Sequence, residues 1–298
     1  MRRSRAWLAL VACAAGAATP PASQPRSPTL AEVLAAATRA EWREPEPANT
    51  LYLDLAAGRV VIELAPAFAP LHVANIRTLV RAGYFDGLAF VRAQDNFVAQ
   101  LGDPDDKRSL GAARATLPPE FTVPIAPGAH FDALPDRDGY APAVGFSDSM
   151  PAARDARGNE QWLAHCYGAV AVARGAAPDS GNGSSLYVVI GQAPRQLDRN
   201  LAVVGRVWSG IELLSTLPRG GGAMGFYEEP RQLVRIMRVR VAADVPAAER
   251  TRLEILRSDS PSFAALLEAR RNRRDDFYRR PPGHLDLCNA LLPVRSLD

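Results

Sequence analysis

The sequence predicts a mainly β domain, and three observations lead to that class. From Leu51 apolar and polar residues alternate, as they do on strands with one buried face. Further runs at 168–174, 185–191, 201–208 and 233–242 are short, rich in Val, Ile and Leu, and bounded by turn residues. Helical periodicity is confined to a few stretches between and outside those runs.

The first residues read as an export address. "MRRSR" is a positive leader and "AWLALVACAAGAA" an apolar stretch too short to span a bilayer, so residues 1–18 form a signal peptide. Leu10-Val11-Ala12-Cys13 has the look of a bacterial lipobox, with Cys13 as the lipidated first residue. The alternative is an ordinary signal cut near Ala18, with Cys13 discarded. Arg2-Arg3 makes a poor twin-arginine signal because Arg5 stands where an apolar residue is usual. Either route places the protein in the bacterial cell envelope, in the periplasm, with a membrane anchor through Cys13 in the first case.

Residues 19–49 hold a Pro/Ser-rich linker and one short helix, "SPTLAEVLAAATRAEW", capped by Ser27 or Thr29. "LYLDLAAGRVVIELAP" gives two strands around Ala57-Gly58. "APLHVANIRTLVRAGYFDG" is a helix: Pro70 suits its first turn, Leu71, Ile76, Leu79 and Val80 form an apolar face, and Gly83 sits at its end. "FVRAQDNFVAQLGDP" reads as two strands joined by a polar turn, with Arg92 and Gln100 set among apolar neighbours. Residues 104–160 are rich in Pro, Gly, Asp and Arg with little periodicity, and Glu120-Phe121 is the one strand-like fragment of note. "GIELLSTL" suits a short helix. After Ala243, "PAAERTRLEILRS" and "SPSFAALLEARRNRRDDFYRR" read as helical, so residues 246–298 form an Arg-rich helical extension. The Arg cluster at 270–274 suits a solvated helix face or, alternatively, contact with anionic headgroups.

Composition excludes several function classes. A chain of 298 residues, 47% apolar and 22% charged, is an ordinary globular protein. Its formal charge of +3 comes from Arg2, Arg3 and Arg5, and without them basic and acidic residues balance at 32 each. That balance leaves no electrostatic footprint for nucleic acid. There is no Walker loop, dinucleotide fingerprint or zinc spacing. In an oxidising compartment Cys166 and Cys288 allow a single bridge. His165-Cys166 is a poor nucleophilic pair, because neighbours on a strand face opposite ways.

Three blocks resemble the cyclophilins, a family of peptidyl-prolyl cis-trans isomerases. "APLHVANIRTLVRAGYFDGLAFVR" is similar to the family's helix and its Gly-Tyr-aromatic-Asp-Gly-x-x-Phe-x-Arg pattern. "FVAQLGDP" resembles Phe-Met-x-Gln-Gly-Gly-Asp. "GAVAVARGAAPDSGNGSSLYVVIG" is similar to Gly-x-x-x-Met-Ala, a loop, then Gly-Ser-Gln-Phe-Phe-Ile. The resemblance covers residues 50–245, with an insertion near 122–160. It implies a closed eight-stranded antiparallel barrel capped by two helices, flanked here by the N- and C-terminal helical extensions. It also implies a monomer without cofactor or metal, acting on proline-containing segments of unfolded or partly folded exported proteins.

Carried over by position, the resemblance makes Arg92, Gln100 and Phe97 catalytic. Val98, Ala173, Tyr187 and Leu197 would bind substrate. Gln196 stands where a Trp is common, Leu201 where a His or Tyr donates a hydrogen bond, Ser185 where Gln follows Gly-Ser, and Leu101 where a Gly precedes Asp103. These departures motivate a second reading, a peptide-binding or chaperone module with little turnover. The missing Trp also implies weak cyclosporin affinity. A third reading, an envelope lipoprotein assembled through its Arg-rich C-terminal helices, rests on composition.

The residue types suit the chemistry. Rotation about an X–Pro bond faces a barrier near 18–20 kcal/mol because the amide C–N bond is partly double. The twisted amide has a localised nitrogen lone pair, which an Arg guanidinium can bind only in that state. Apolar walls would hold the pyrrolidine and exclude water.

Overall fold

Pairing of the first two long strands sets the architecture. Thr50–Leu55 (β2) and Gly58–Leu64 (β3) are antiparallel, with Thr50 opposite Glu63 and Leu55 opposite Gly58. The computed structural model describes residues 28–273 and 277–297. The signal segment, Cys13 and Arg274 of the basic cluster lie outside the described residues.

Helix α1 (Leu30–Ala36) and strand β1 (Trp42–Arg43) precede that hairpin. Helix α2 (Pro70–Arg81), β4 (Ala89–Ala93) and β5 (Val98–Gly102) follow it. Next come five short strands: β6 (Val123–Pro124), β7 (Asp132–Ala133), β8 (Ala143–Ser147), β9 (Met150–Arg154) and β10 (Glu160–Leu163). Then come β11 (Ala169–Val172), β12 (Leu186–Val189), β13 (Val203–Ser209), helix α3 (Ile211–Ser215) and β14 (Val234–Val241). The chain closes with β15 (Leu253–Leu256), α4 (Pro261–Arg271) and β16 (Val294–Ser296).

Eight strands close into an antiparallel barrel in the order β11-β12-β5-β4-β14-β2-β3-β13. Closure leaves no free edge in this sheet. Alternate residues fill the interior: Leu51, Leu53, Val60, Ile62, Ala99, Leu101, Val170, Leu186, Val188 and Val204 are buried together. Val73, Ile76, Leu79 and Val80 of α2, and Leu214 of α3, join that core and cap it. Helix α2 begins at Pro70, and Gly83 just beyond it has the positive φ of +67° that ends a helix cheaply.

The region of little periodicity holds a second sheet. Strands β6-β10-β9-β8-β7 form five antiparallel strands laid against the barrel's outer face. Two features hid them. Strands β6 and β7 are two residues long, and β9 contains Pro151, which argues against a strand. The β8–β9 turn is Asp148-Ser149, both at positive φ (50° and 66°), the geometry that a two-residue hairpin requires. Glu120-Phe121 is not a strand. Glu120 instead reaches the start of α2 and accepts from the backbone N–H groups of Leu71 and His72, both at 2.9 Å. Ala69 has no polar side chain to cap that helix, so Glu120, 49 positions beyond Leu71, does it.

The C-terminal extension also departs from the sequence expectation of helix throughout. Residues 253–256 are strand β15, the centre of a third sheet ordered β1-β15-β16. Pairing on both sides overrides the helix propensity of Leu and Glu. Only Pro261–Arg271 is α-helical in this extension among the described residues. At the N-terminal end, Thr29 caps α1 and exchanges hydrogen bonds with Glu32, but the helix stops at Ala36 because Trp42-Arg43 pairs with β15. Nor is the basic cluster all solvated. Arg271 is bidentate on Asp136 of the insertion, and Arg270 donates to Leu291 O at 2.8 Å.

Cys166 and Cys288 are joined in a disulfide across 122 residues, fastening the extension to the barrel. Phe263 of α4 meets Phe146 of the insertion edge-on at 5.1 Å, so insertion and extension share one core. Replacing both cysteines by Ala should cost about 2–5 kcal/mol in urea unfolding. Wild type under reductant should fall to the same value.

Candidate active site

A bulge in β4 sets the site. Phe90 opposes Leu101 and Arg92 opposes Gln100, so Val91 is an extra residue in the ladder. Phe90 and Ala93 both point into the barrel core. Strict alternation from Phe90 would send Arg92 inward as well; the extra residue turns it outward. On β5, Ala99 and Leu101 face the interior, which leaves Val98 and Gln100 on the outer face. Tyr187 opposes Gln100 from β12. Arg92, Gln100 and Tyr187 therefore lie in one row across three strands.

The Arg92 guanidinium is half-buried and held on all three nitrogens. Nε donates to Met224 O at 2.6 Å, one terminal nitrogen to Gln100 Oε1 at 3.3 Å and the other to Gln94 Oε1 at 2.5 Å. Of its five N–H donors, two remain for a ligand. The guanidinium lies 5.5 Å from the Phe97 ring centre and 5.3 Å from that of Phe226. Gln100 in turn donates to Ser185 Oγ at 3.2 Å, and Ser185 donates to Leu101 O at 3.0 Å. Burial draws the Arg92 pKa below its ordinary value, yet an arginine there stays charged at neutral pH.

Half-buried Phe97, Ala173 and Leu201 pack against the core that contains buried Val98 and Tyr187, and the Phe97 ring faces the guanidinium. Leu197 is half-buried on the turn Arg195–Leu197 and is not among the side chains packed there, while Gln196 beside it is exposed. On the other side of Gln100 a groove of about 320 Å³ runs between Ala173, Ser185 and Phe226, with Asp103, Asp106 and Arg174 along it.

The family described as "Cyclophilin type peptidyl-prolyl cis-trans isomerase/CLD" matches residues 50–241, the whole barrel. The chain belongs to the cyclophilins. A probable peptidyl-prolyl cis-trans isomerase of Brucella suis is 29% identical over 194 residues, covering 64% of this chain and 82% of that one. A peptidyl-prolyl cis-trans isomerase-like protein of Gibberella zeae is 27% identical over 196 residues, covering 66% and 96%. A crystallised cyclophilin from Hirschia baltica superposes with a TM-score of 0.66 at 26% identity, over 86% of this chain and 94% of that one. That overlap exceeds what the barrel supplies, so the likeness extends to the added segments. The enzyme is thus a peptidyl-prolyl cis-trans isomerase.

Sequence reasoning missed part of the candidate site. Phe226, Gln94 and the Met224 carbonyl hold Arg92, and the first and last come from "GGGAMGFYEEP", which has no strand or helix period. That loop runs beside β4: Gly220 N–H donates to Ala93 O and Tyr227 N–H to Val91 O, both at 3.0 Å. Gly225 has φ +79°, and a Cβ there would lie 2.6 Å from Gln94 Cα. Only the glycine lets the loop approach that closely. The run of glycines was the one signal available. Cys166 is in the disulfide and His165 is wholly buried, so the two do not form a nucleophilic pair.

Beneath Tyr187 lies an acidic group. Burial opposes ionisation of Asp198, but hydrogen bonds from His165 and the charge of Arg195 hold its carboxyl below the usual range. Burial, then the Asp198 charge, pushes the Tyr187 phenol up, so it stays neutral. A depressed carboxylate stabilises the fold above its unfolded value, and that contribution is lost as pH falls through the folded value. Urea midpoints of wild type should therefore decline below about pH 4. Asp198→Asn, weaker at pH 7, should lose less over the same interval.

Proposed function

We propose that Arg92 lowers the isomerisation barrier by donating to the pyramidal nitrogen of a twisted X–Pro amide, with the pyrrolidine against Phe97, Val98 and Tyr187. One observation carries this: a half-buried guanidinium stacked near Phe97 and braced by Gln100, with two donors still unused. In the planar amide the nitrogen lone pair is delocalised and offers nothing to those donors. In the twisted amide it accepts, so binding strengthens only at the barrier. Gln100, whose carbonyl accepts from Arg92, also keeps the guanidinium aimed. The half-buried setting reduces screening of the new hydrogen bond. No nucleophile or metal enters, because no covalent bond breaks.

The substrates proposed are proline-containing segments of exported proteins in the cell envelope, with the enzyme monomeric and anchored through lipidated Cys13. The leader that precedes Cys13 supports export, and so does the Cys166–Cys288 bridge, which suits an oxidising compartment. Leu201 favours the second reading, a binding module with slow turnover, since it packs into the apolar cluster and offers no donor.

A peptide isomerisation assay decides between them. Arg92→Ala should lower kcat/KM by about 10²–10³, with peptide affinity much less affected. Equal rates for wild type and Arg92→Ala would leave only the binding module. Cyclosporin should bind weakly by calorimetry, because exposed Gln196 offers no indole N–H.

A further inference from the structure

Behind the pocket wall runs a chain of buried polar groups for which the twisted-amide chemistry has no direct use. The Tyr187 hydroxyl is 2.9 Å from His165 Nε2. His165 Nδ1 is 2.9 Å from Asp198 Oδ1, which also accepts the His165 backbone N–H at 2.9 Å. Asp198 Oδ2 accepts from Arg195 Nε at 2.6 Å and from Trp162 Nε1 at 3.4 Å. Arg195 then donates twice to Asp138, at 3.0 and 3.1 Å, with the Tyr140 ring centre 5.2 Å from its guanidinium. The side chains of His165, Asp198, Arg195 and Asp138 are 0, 5, 4 and 2% exposed.

Donor and acceptor types fix the direction of each link to a carboxylate. The Asp198 carboxylate only accepts, so His165 Nδ1 donates to it. Its Nε2 pairs with the Tyr187 hydroxyl, which can serve as donor or acceptor. One end of the chain is Asp138 in the insertion, with Tyr140 alongside. The other end is Tyr187, while Arg195 opens the turn that ends in Leu197. A buried ion pair adds little net stability, because desolvation offsets the attraction; what it fixes is geometry.

We propose that the 122–160 insertion braces the proline pocket through Asp138. In this arrangement Asp138, Arg195, Asp198 and His165 are positioning residues that hold the Tyr187 ring at one orientation. The inference rests on the reading of Tyr187 as pocket wall. It also gives the Tyr187 hydroxyl a purpose, since a phenyl at that position would leave the chain without its last link.

The test is a double-mutant cycle with Asp138→Asn and Tyr187→Phe, both small changes, read on the full chain with one prolyl peptide. Each single variant should raise KM and the dissociation constant from NMR titration about three- to tenfold, the scale of one hydrogen bond, with kcat within about twofold. Because both act on one chain, the double variant should be no weaker than the worse single. Independent, multiplying effects would overturn the brace. So would an Asp138→Asn variant that lowers the melting temperature and leaves peptide affinity unchanged. The titration separates this inference from the role of Arg92. If wild type binds peptide but turns over no faster than Arg92→Ala, the catalytic role falls and the affinity cycle still decides the brace. A wild type that binds no prolyl peptide overturns both.

Discussion

The bulge at Val91 decides which face of the barrel carries the guanidinium. Inside, Arg92 would meet Ala99, Leu101 and Val188, and an unpaired charge there costs several kcal/mol. Outside, it meets Gln94, Gln100 and the Met224 carbonyl, and keeps two donors open. The cost of partly dehydrating an arginine is met by those acceptors and by the faces of Phe97 and Phe226. The glycine-rich loop, the close approach at Gly225 and the Gln100–Ser185 link all follow from holding that one cation in place.

Much of the barrel was legible because its strands obey period two and its turns carry Gly or polar residues. Ala57-Gly58, Pro70 and Gly83 marked boundaries that the structure keeps within a residue or two. The candidate site was proposed chiefly through the family resemblance, which aligned Arg92, Phe97 and Gln100, and the structure places those three side chains together. Residues that support the site from afar were not. Phe226 is 134 positions from Arg92 and lies in a segment without periodicity. Leu197 shows the reverse: aligned with a pocket residue by the resemblance, it stands outside the packed cluster.

The second and third sheets failed to announce themselves for a different reason. Strands of two to five residues carry too few alternations to read, and Pro151 and the Leu-Glu-Ile-Leu run point the wrong way locally. Their stability comes from partners far along the chain: Phe263 on Phe146, Arg271 on Asp136, Arg295 on wholly buried Glu254. Local propensity loses wherever pairing occurs on both flanks. The same contacts convert an apparent loop region into a body able to press on the barrel's outer face.

The sulfur link has a mechanical corollary. It closes residues 166–288 into a covalent ring holding β11, β12, β13 and β14, half of the barrel's staves. Tension applied between the two chain ends would pass from residue 166 to 288 through sulfur and bypass everything between. That half of the barrel would be shielded from being unravelled by such a pull.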